Sequence, residues 1–302
     1  MSELPLSATA DAALQAAPAT KARGYWATVG RRIRRDKVSM ACALVLLLIF
    51  VSAILAPWLG LEDPYKGSMI RRLRHIGTTG YPLGTDELGR DMLSRLLHGS
   101  RVTLLVGLAA MLAAIVIGVL VGAVAGFKGG WIDGALMRFT DAMLAVPTFF
   151  FILVVITVLG AGVATLIFVI GALSWMPVAR VVYGETLRWK TAEFVVAAES
   201  LGVGGPRLVL RHILPQAVPS LIVSATLGVS GIILLEAALG FLGYSVPPPE
   251  PSWGNMLSDF EQNLLLNQTY LVIFPATALV ITALCINLVG DGIRDALDPR
   301  QR

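Results

Sequence analysis

Few residues in this chain have the types and spacing that enzymatic chemistry needs. The three histidines, His75, His98 and His212, are scattered and show no HExxH or paired spacing, so metal catalysis has no support. There is no G-x-S-x-G elbow and no nucleophile–base arrangement. None of the five lysines follows a glycine, which excludes a phosphate-binding GxxxxGKS/T loop. Cys42 and Cys285 lie inside apolar runs far apart in the sequence, so no disulfide framework is indicated. What remains is polar chemistry without a catalytic cluster. A carboxylate, Glu236, stands deep in an apolar stretch, and a charged group (Asp86, Arg90, Asp91, Arg95) precedes another. A short polar tract, "AAESLGVGGPRLVLRHILPQAVP" at 197–219, interrupts the greasy sequence.

The elements that position these residues are membrane helices. Of 302 residues, 56% are hydrophobic and 15% charged, against roughly 45–50% and 25% in soluble domains. Six apolar stretches have about the 20 residues that a bilayer core requires: 39–60, 102–127, roughly 142–160, about 163–179, about 217–243 and about 270–290. The first begins too far into the chain, and is too long, for a cleavable signal peptide, so it reads as an anchor. The preceding tail is small, polar and Pro-containing and reads as disordered. The net charge of +4 suits membrane topology better than nucleic acid, because the basic residues flank the apolar runs.

Lys and Arg placement orients the chain. "KARGYWATVGRRIRRDK" stands directly before the first span, and the other basic residues concentrate so that 17 of 24 fall on the cytoplasmic side of an N-in, C-in arrangement. The remaining seven lie in the long stretch 61–101, and long segments cross largely regardless of charge. The predicted organisation is a cytoplasmic tail 1–38, an anchor 39–60, an extracytoplasmic loop 61–101 and a five-helix core 102–291. That core includes a cytoplasmic loop 180–216 and an outer loop 244–269, and a cytoplasmic tail 292–302 follows it.

On this topology the polar tract belongs to the longest internal cytoplasmic loop. "TAEFVVAAESLG" predicts a short helix ending at Gly202, with a left-handed glycine cap. Pro206 suits the first turn of a second helix, which carries Arg207 and Arg211 on one face and Leu208 on another, and Pro215 closes the unit before span five. Such a helix–bend–helix is too small to bury itself. It is either an amphipathic interfacial loop or a surface for a partner, which Ala197 and Ala198 would admit closely. "GTDELGRDMLSRLLHGSR" predicts a helix capped at Thr85 or Asp86, with Leu88, Met92, Leu93, Leu96 and Leu97 on the face turned to the membrane. Its charged residues Asp86, Arg90 and Asp91 either pair among themselves or meet a delivering protein. "SVPPPEPSW" at 245–253 predicts a stiff outer loop. With Glu250, Trp253 and Asp259 it makes either a docking surface or a cover over the helix ends. Glu236 either lines a transport path, meeting a peptide amino group or a cation, or bonds a neighbouring helix, as the small residues after it suggest. Pro147 and Pro177 are expected to kink spans three and four.

The polar tract resembles the EAA loop of ABC importer permeases, whose pattern is E-A-A, three residues, G, then nine residues before I-x-L-P. Val196-Ala197-Ala198, Gly202 and Leu214-Pro215 stand at that spacing, with Val196 in place of the acidic residue and His212 in place of Ile. Glu193 and Glu199 lie three residues to either side of Val196 on one helix face and could supply the missing polar contact. "PLGTDELGRDMLSRLLHGSRVTLLVG", "GGWIDGALMRFTDAMLAVP", "LEAALGFLGYSVPPPEPSWGNMLSD" and "GDGIRDALDPR" extend the resemblance over most of the chain from residue 82 onward. Together they resemble the dipeptide/oligopeptide/nickel permeases, C-type subunit.

The resemblance implies an all-α type I importer permease in a bacterial inner membrane. It implies a homologous second permease subunit, two ABC ATPase subunits that bind ATP and magnesium, and an extracytoplasmic substrate-binding protein. This chain would bind no cofactor and catalyse nothing alone, and it lacks the LSGGQ-like signature of the ATPases. Residues 193–215 would be the coupling helix seated in an ATPase cleft, and the cargo would be dipeptides, longer peptides, nickel chelates or glutathione. An ion-coupled carrier working alone is the rival class. Such carriers show midplane ionisable groups or broken helices, and Glu236 lacks a clear charged partner in the sequence. A membrane enzyme, the third class, would need a catalytic cluster.

Overall fold

In lipid, backbone N–H and C=O groups must be satisfied within the segment, and apolar runs of this length therefore become helices. A computed structural model of the protein describes residues 30–33, 35–265 and 267–297. Among them, regular structure is helical, with two isolated bridges, Thr78 to Tyr81 and Thr85 to Asp91. The predicted disordered tail lies outside the described residues.

Helix α1 (Lys37–Leu55) is capped by Asp36, whose side chain accepts from Val38 N–H, and runs into a tight turn at Ala56–Trp58. Then come α2 (Met92–Lys128), α3 (Gly130–Ala145), α4 (Thr148–Leu159), α5 (Val163–Leu173) and α6 (Trp175–Lys190). The short α7 (Glu193–Ser200) and α8 (Gly205–Leu208) lead through a π-helical turn, Val209–Ile213, into α9 (Leu214–Phe241). The last two are α10 (Phe260–Leu265) and α11 (Tyr270–Leu297), which absorbs the start of the predicted C-terminal tail. Among the described residues, five continuous helical stretches are long and apolar enough to cross a membrane, and α3 with α4, bent by 84°, make a sixth span if counted together.

Several expected boundaries move. The helix predicted from Thr85 or Asp86 begins at Met92, where the Asp91 side chain accepts from Leu93 and Ser94 N–H. From Met92 it is continuous with the second span, as the first turns of one 37-residue helix. Asp86 instead folds a turn, accepting from Leu88 and Arg90 N–H, with Gly89 at φ +73° breaking the helical path. The third span starts twelve residues early, at Gly130, and snaps at Val146-Pro147, where Pro147 is the non-helical cap of α4. The fourth continues past residue 179 to Lys190. Its second half, "RVVYGETLRWK", is polar on one side only, and Val182 and Thr186 are buried. Its break falls at Ser174, about one turn ahead of Pro177, which lacks the N–H that Leu173 would need.

The core is built around α2. Gly118, Gly122 and Gly126 present a smooth stripe on which α6 lies. A Cβ at these positions would fall 2.7 Å from Val178 Cβ, 2.4 Å from the Ala179 carbonyl oxygen and 2.8 Å from Thr186 Cβ. Small residues three turns deep allow two backbones to approach without a hydrophobic drive, which lipid does not supply. Gly122→Ala is therefore expected to destabilise the chain by about 1–3 kcal/mol, an overpacking cost. Thermal unfolding in detergent would read it. Gly184→Ala, where a Cβ meets nothing within 4 Å, is the control and should be neutral or better.

Helix α1 joins the bundle through α11: Ser39 Oγ donates to the Leu288 carbonyl at 3.0 Å, and Gly292 faces the same serine. Across that seam Cys42 and Cys285 meet as free thiols.

Candidate functional site

The 193–215 connection is a rigid knob. Helix α7 ends at Leu201; Gly202, at φ +84°, donates to the Glu199 carbonyl at 2.9 Å, and Val203 N–H reaches the Ala198 carbonyl at 3.2 Å. This pair of bonds is the Schellman closure that a left-handed glycine permits. Gly204 then caps α8, with Pro206 in its first turn. Contrary to expectation the unit has its own small core. Val195, Leu208 and Ile213 are buried together, packed by Phe127, Trp189, Ala192, Ala198 and Val203. Lys190 Nζ donates to the Phe127 carbonyl at 2.5 Å, and Glu185 accepts from Trp189 Nε1 at 2.9 Å and from Ser220 Oγ at 2.7 Å. The knob is thereby fastened to α2, α6 and α9.

Pro215 does not close the unit. It sits in the first turn of α9, and the helix runs on from Gly205 to Phe241. Proline cannot donate to the carbonyl four residues back. The π-turn absorbs this, with Leu214 N–H reaching five residues back to Val209. Any displacement of the knob is therefore continuous with a membrane-spanning helix. Outward it presents Phe194, Val196, Leu201 and Leu210, the last two 86% and 68% exposed. Glu193, Ala197, Glu199, Arg207, Arg211 and Pro215 are also exposed, and Ala198 and Leu214 half-buried.

Glu236 sits elsewhere than on an open path. It is fully buried, with Ser245 Oγ donating to Oε1 at 2.5 Å and Thr103 Oγ1 donating to Oε2 at 3.3 Å. Thr103 Oγ1 in turn accepts from Trp253 N–H at 3.1 Å, and Gly254 approaches so closely that a Cβ there would lie 3.2 Å from the carboxylate. Glu236 thus ties α9 to α2 and to the outer loop. These contacts are those expected of the neighbour-bonding alternative.

The outer residues divide similarly. Trp253 is 2% exposed, its indole N–H donating to the Leu96 carbonyl at 2.9 Å. Asp91 is spent capping α2, and Asp86 pairs with Arg90 at 2.7 Å and Arg95 at 3.3 Å. All three are buried. Arg90 and Glu250 are half-buried and Asp259 exposed. A cavity of about 230 Å³ opens among Glu87, Arg90, Asn255 and Asp259. Burial, and then the Asp259 carboxylate, push Glu87 above the ordinary glutamate range.

Sequence inspection missed a second cavity, of about 420 Å³, where both broken helices meet. Leu144 and Thr148 flank the α3–α4 break, Leu173 and Ser174 the α5–α6 break, and Met111 and Gly228 close it from α2 and α9. Broken membrane helices around a cavity are a recurrent setting for transported ligands. The signal available in the sequence was the pair Pro147 and Pro177. Among the described residues no cluster of three or more His, Cys, Asp or Glu has metal-binding geometry.

Residues 114–302 match the family described as binding-protein-dependent transport system inner membrane component. Residues 24–74 match the N-terminal TM domain of oligopeptide transport permease C. The chain is 40% identical over 282 residues to the oligopeptide transport system permease protein OppC of Escherichia coli K12, covering 93% of each. It is 38% identical over 292 residues to the glutathione transport system permease protein GsiD of E. coli O6:K15:H31, covering 96% of each. To OppC of Haemophilus influenzae it is 38% identical over 282 residues, 93% of this chain and 90% of that one. With its helical bundle, its knob continuous with a spanning helix and these matches, the chain belongs to the binding-protein-dependent transport system inner membrane components, as a multi-pass permease subunit of an ABC importer.

Proposed function

We propose that this permease carries dipeptides or short oligopeptides inward, delivered by an extracytoplasmic binding protein and driven by ATP on two partner subunits. A second, homologous permease completes the path. ATP and magnesium reside on the ATPases, and this chain contributes no cofactor and no catalysis. With six spans both termini lie in the cytoplasm, in keeping with the basic segment before α1.

The observation that carries this is the knob. An exposed apolar patch beside two arginines, held on a small core and continuous with α9, is what a coupling element requires. A flexible loop would dissipate the stroke; a helix joined end to end transmits it. The cavity between the broken helices supplies this subunit's wall of the path, in place of Glu236. Asp259, with the half-buried Arg90 and Glu250, forms the binding-protein surface, and the buried Asp86, Asp91 and Trp253 hold it from behind.

The Escherichia coli relatives are named for oligopeptides and for glutathione, itself a tripeptide, which favours peptide cargo over nickel chelates. The test is a mild-detergent pull-down of the tagged chain with its native neighbours, followed by ATPase assay with and without the binding protein. Co-purified ATPases stimulated by dipeptide-loaded binding protein are expected. Stimulation by glutathione-loaded protein alone would reassign the cargo. A chain that purifies alone and transports without ATP would replace the proposal with an ion-coupled carrier.

A further inference from the structure

Asp141 on α3 and Arg180 on α6 form an ion pair between the two helices, and each side chain is nearly half exposed, 47% and 45%. Lys190, at the basic end of α6, lies about 15 Å further along the helix. Charges at such positions are costly against lipid and persist where they face a partner or a water-filled path. This pair borders the larger cavity. Leu144, one turn beyond Asp141, and Pro177 and Val181, on either side of Arg180, all line it. The cavity's own wall is apolar, relieved by the hydroxyls of Thr148, Ser174 and Ser224. Within that wall, nothing compensates a charged cargo.

Resting on the peptide-import proposal, we infer that Asp141 and Arg180 form an exchange pair for the two charged termini of a peptide. The peptide carboxylate takes the guanidinium and the peptide ammonium takes the aspartate, and the two side chains rejoin once the peptide has passed. One ion pair is traded for two, so every charge stays compensated throughout. Arg suits this because its planar fork binds a carboxylate bidentately. Opening the pair need not detach α3. Tyr183 OH donates to Asp133 Oδ2 at 3.0 Å on the same seam, and Phe139 stacks on Trp175 at 6.3 Å between centroids.

A mere strut would behave differently: a half-exposed pair contributes only about 0–1 kcal/mol, so removing both charges would leave assembly and uptake alike almost unchanged. The experiment uses the whole complex in proteoliposomes, with binding protein loaded with a radiolabelled dipeptide. Asp141→Leu and Arg180→Met together are expected to preserve assembly and stimulated ATPase activity, while uptake falls by about tenfold or more. Uptake at the wild-type rate would overturn the inference and leave the pair a strut. Should that double variant fail to assemble, Asp141→Asn with Arg180→Gln decides the same question, since it keeps both side chains polar and able to hydrogen-bond and removes both charges. Failure of the unaltered complex to couple uptake to ATP would instead overturn the importer proposal.

Discussion

Gly202→Trp is expected to leave the chain folded and inserted while transport stops. Gly202 holds φ +84°, a conformation that costs other residues about 1–2 kcal/mol, yet a Cβ there meets nothing within 4 Å of this chain. The strain is local and small beside the stability of the bundle. On the proposed coupling role an ATPase subunit fills the space around it, so indole bulk would be felt on assembly. Gly202→Ala separates the two effects, because it pays the same backbone strain without the bulk. The alanine variant should retain most uptake. The tryptophan variant should lose about tenfold or more, a steric cost of over 1.4 kcal/mol at the interface. Uptake and ATPase measured in parallel would check this, and normal uptake by the tryptophan variant would remove 193–215 from the coupling role.

Glu236→Ala should unfold what Glu236→Gln leaves standing. Truncation strips Ser245 and Thr103 of their acceptor in a fully buried site and opens a void beside Gly254. Unsatisfied buried hydroxyls and a cavity together cost about 2–5 kcal/mol. Gln keeps the volume and one acceptor oxygen, so the loss should stay near about 1 kcal/mol. The readouts are thermal unfolding in detergent and uptake by the assembled complex. A Gln variant that assembles normally but cannot transport would return Glu236 to the path.

Both predictions turn on differences between spacing and surroundings. Gly202 was legible because a glycine after a helical run and two residues before another glycine has few conformational purposes. The Schellman closure is a local event, set by residues within six positions of one another. The small core beneath it was not legible, since Phe127 and Trp189 come from α2 and α6 and meet Leu208 only when those helices lie side by side. Asp141 and Arg180 escaped notice for a similar reason. Hydropathy placed each at the edge of a span, and the amphipathic continuation of α6 to Lys190 drew Arg180 inward.

The sequence by itself determined that the chain is a bundle of membrane helices, because long apolar runs have one way to satisfy their backbone in lipid. It also determined the glycine-capped knob, the absence of a nucleotide loop and the likeness to importer permeases. Only the tertiary structure decided the environment of each polar side chain. Glu236 is buried because Thr103 of α2 and Ser245 and Gly254 of the outer loop close around it. Trp253 and Asp91 became supports, and two proline breaks remote from Met111 and Gly228 opened a cavity with them. Helix propensity and hydropathy act along the chain over a few turns. Burial, charge compensation and cavity shape arise between segments, and they exist only once the helices have packed.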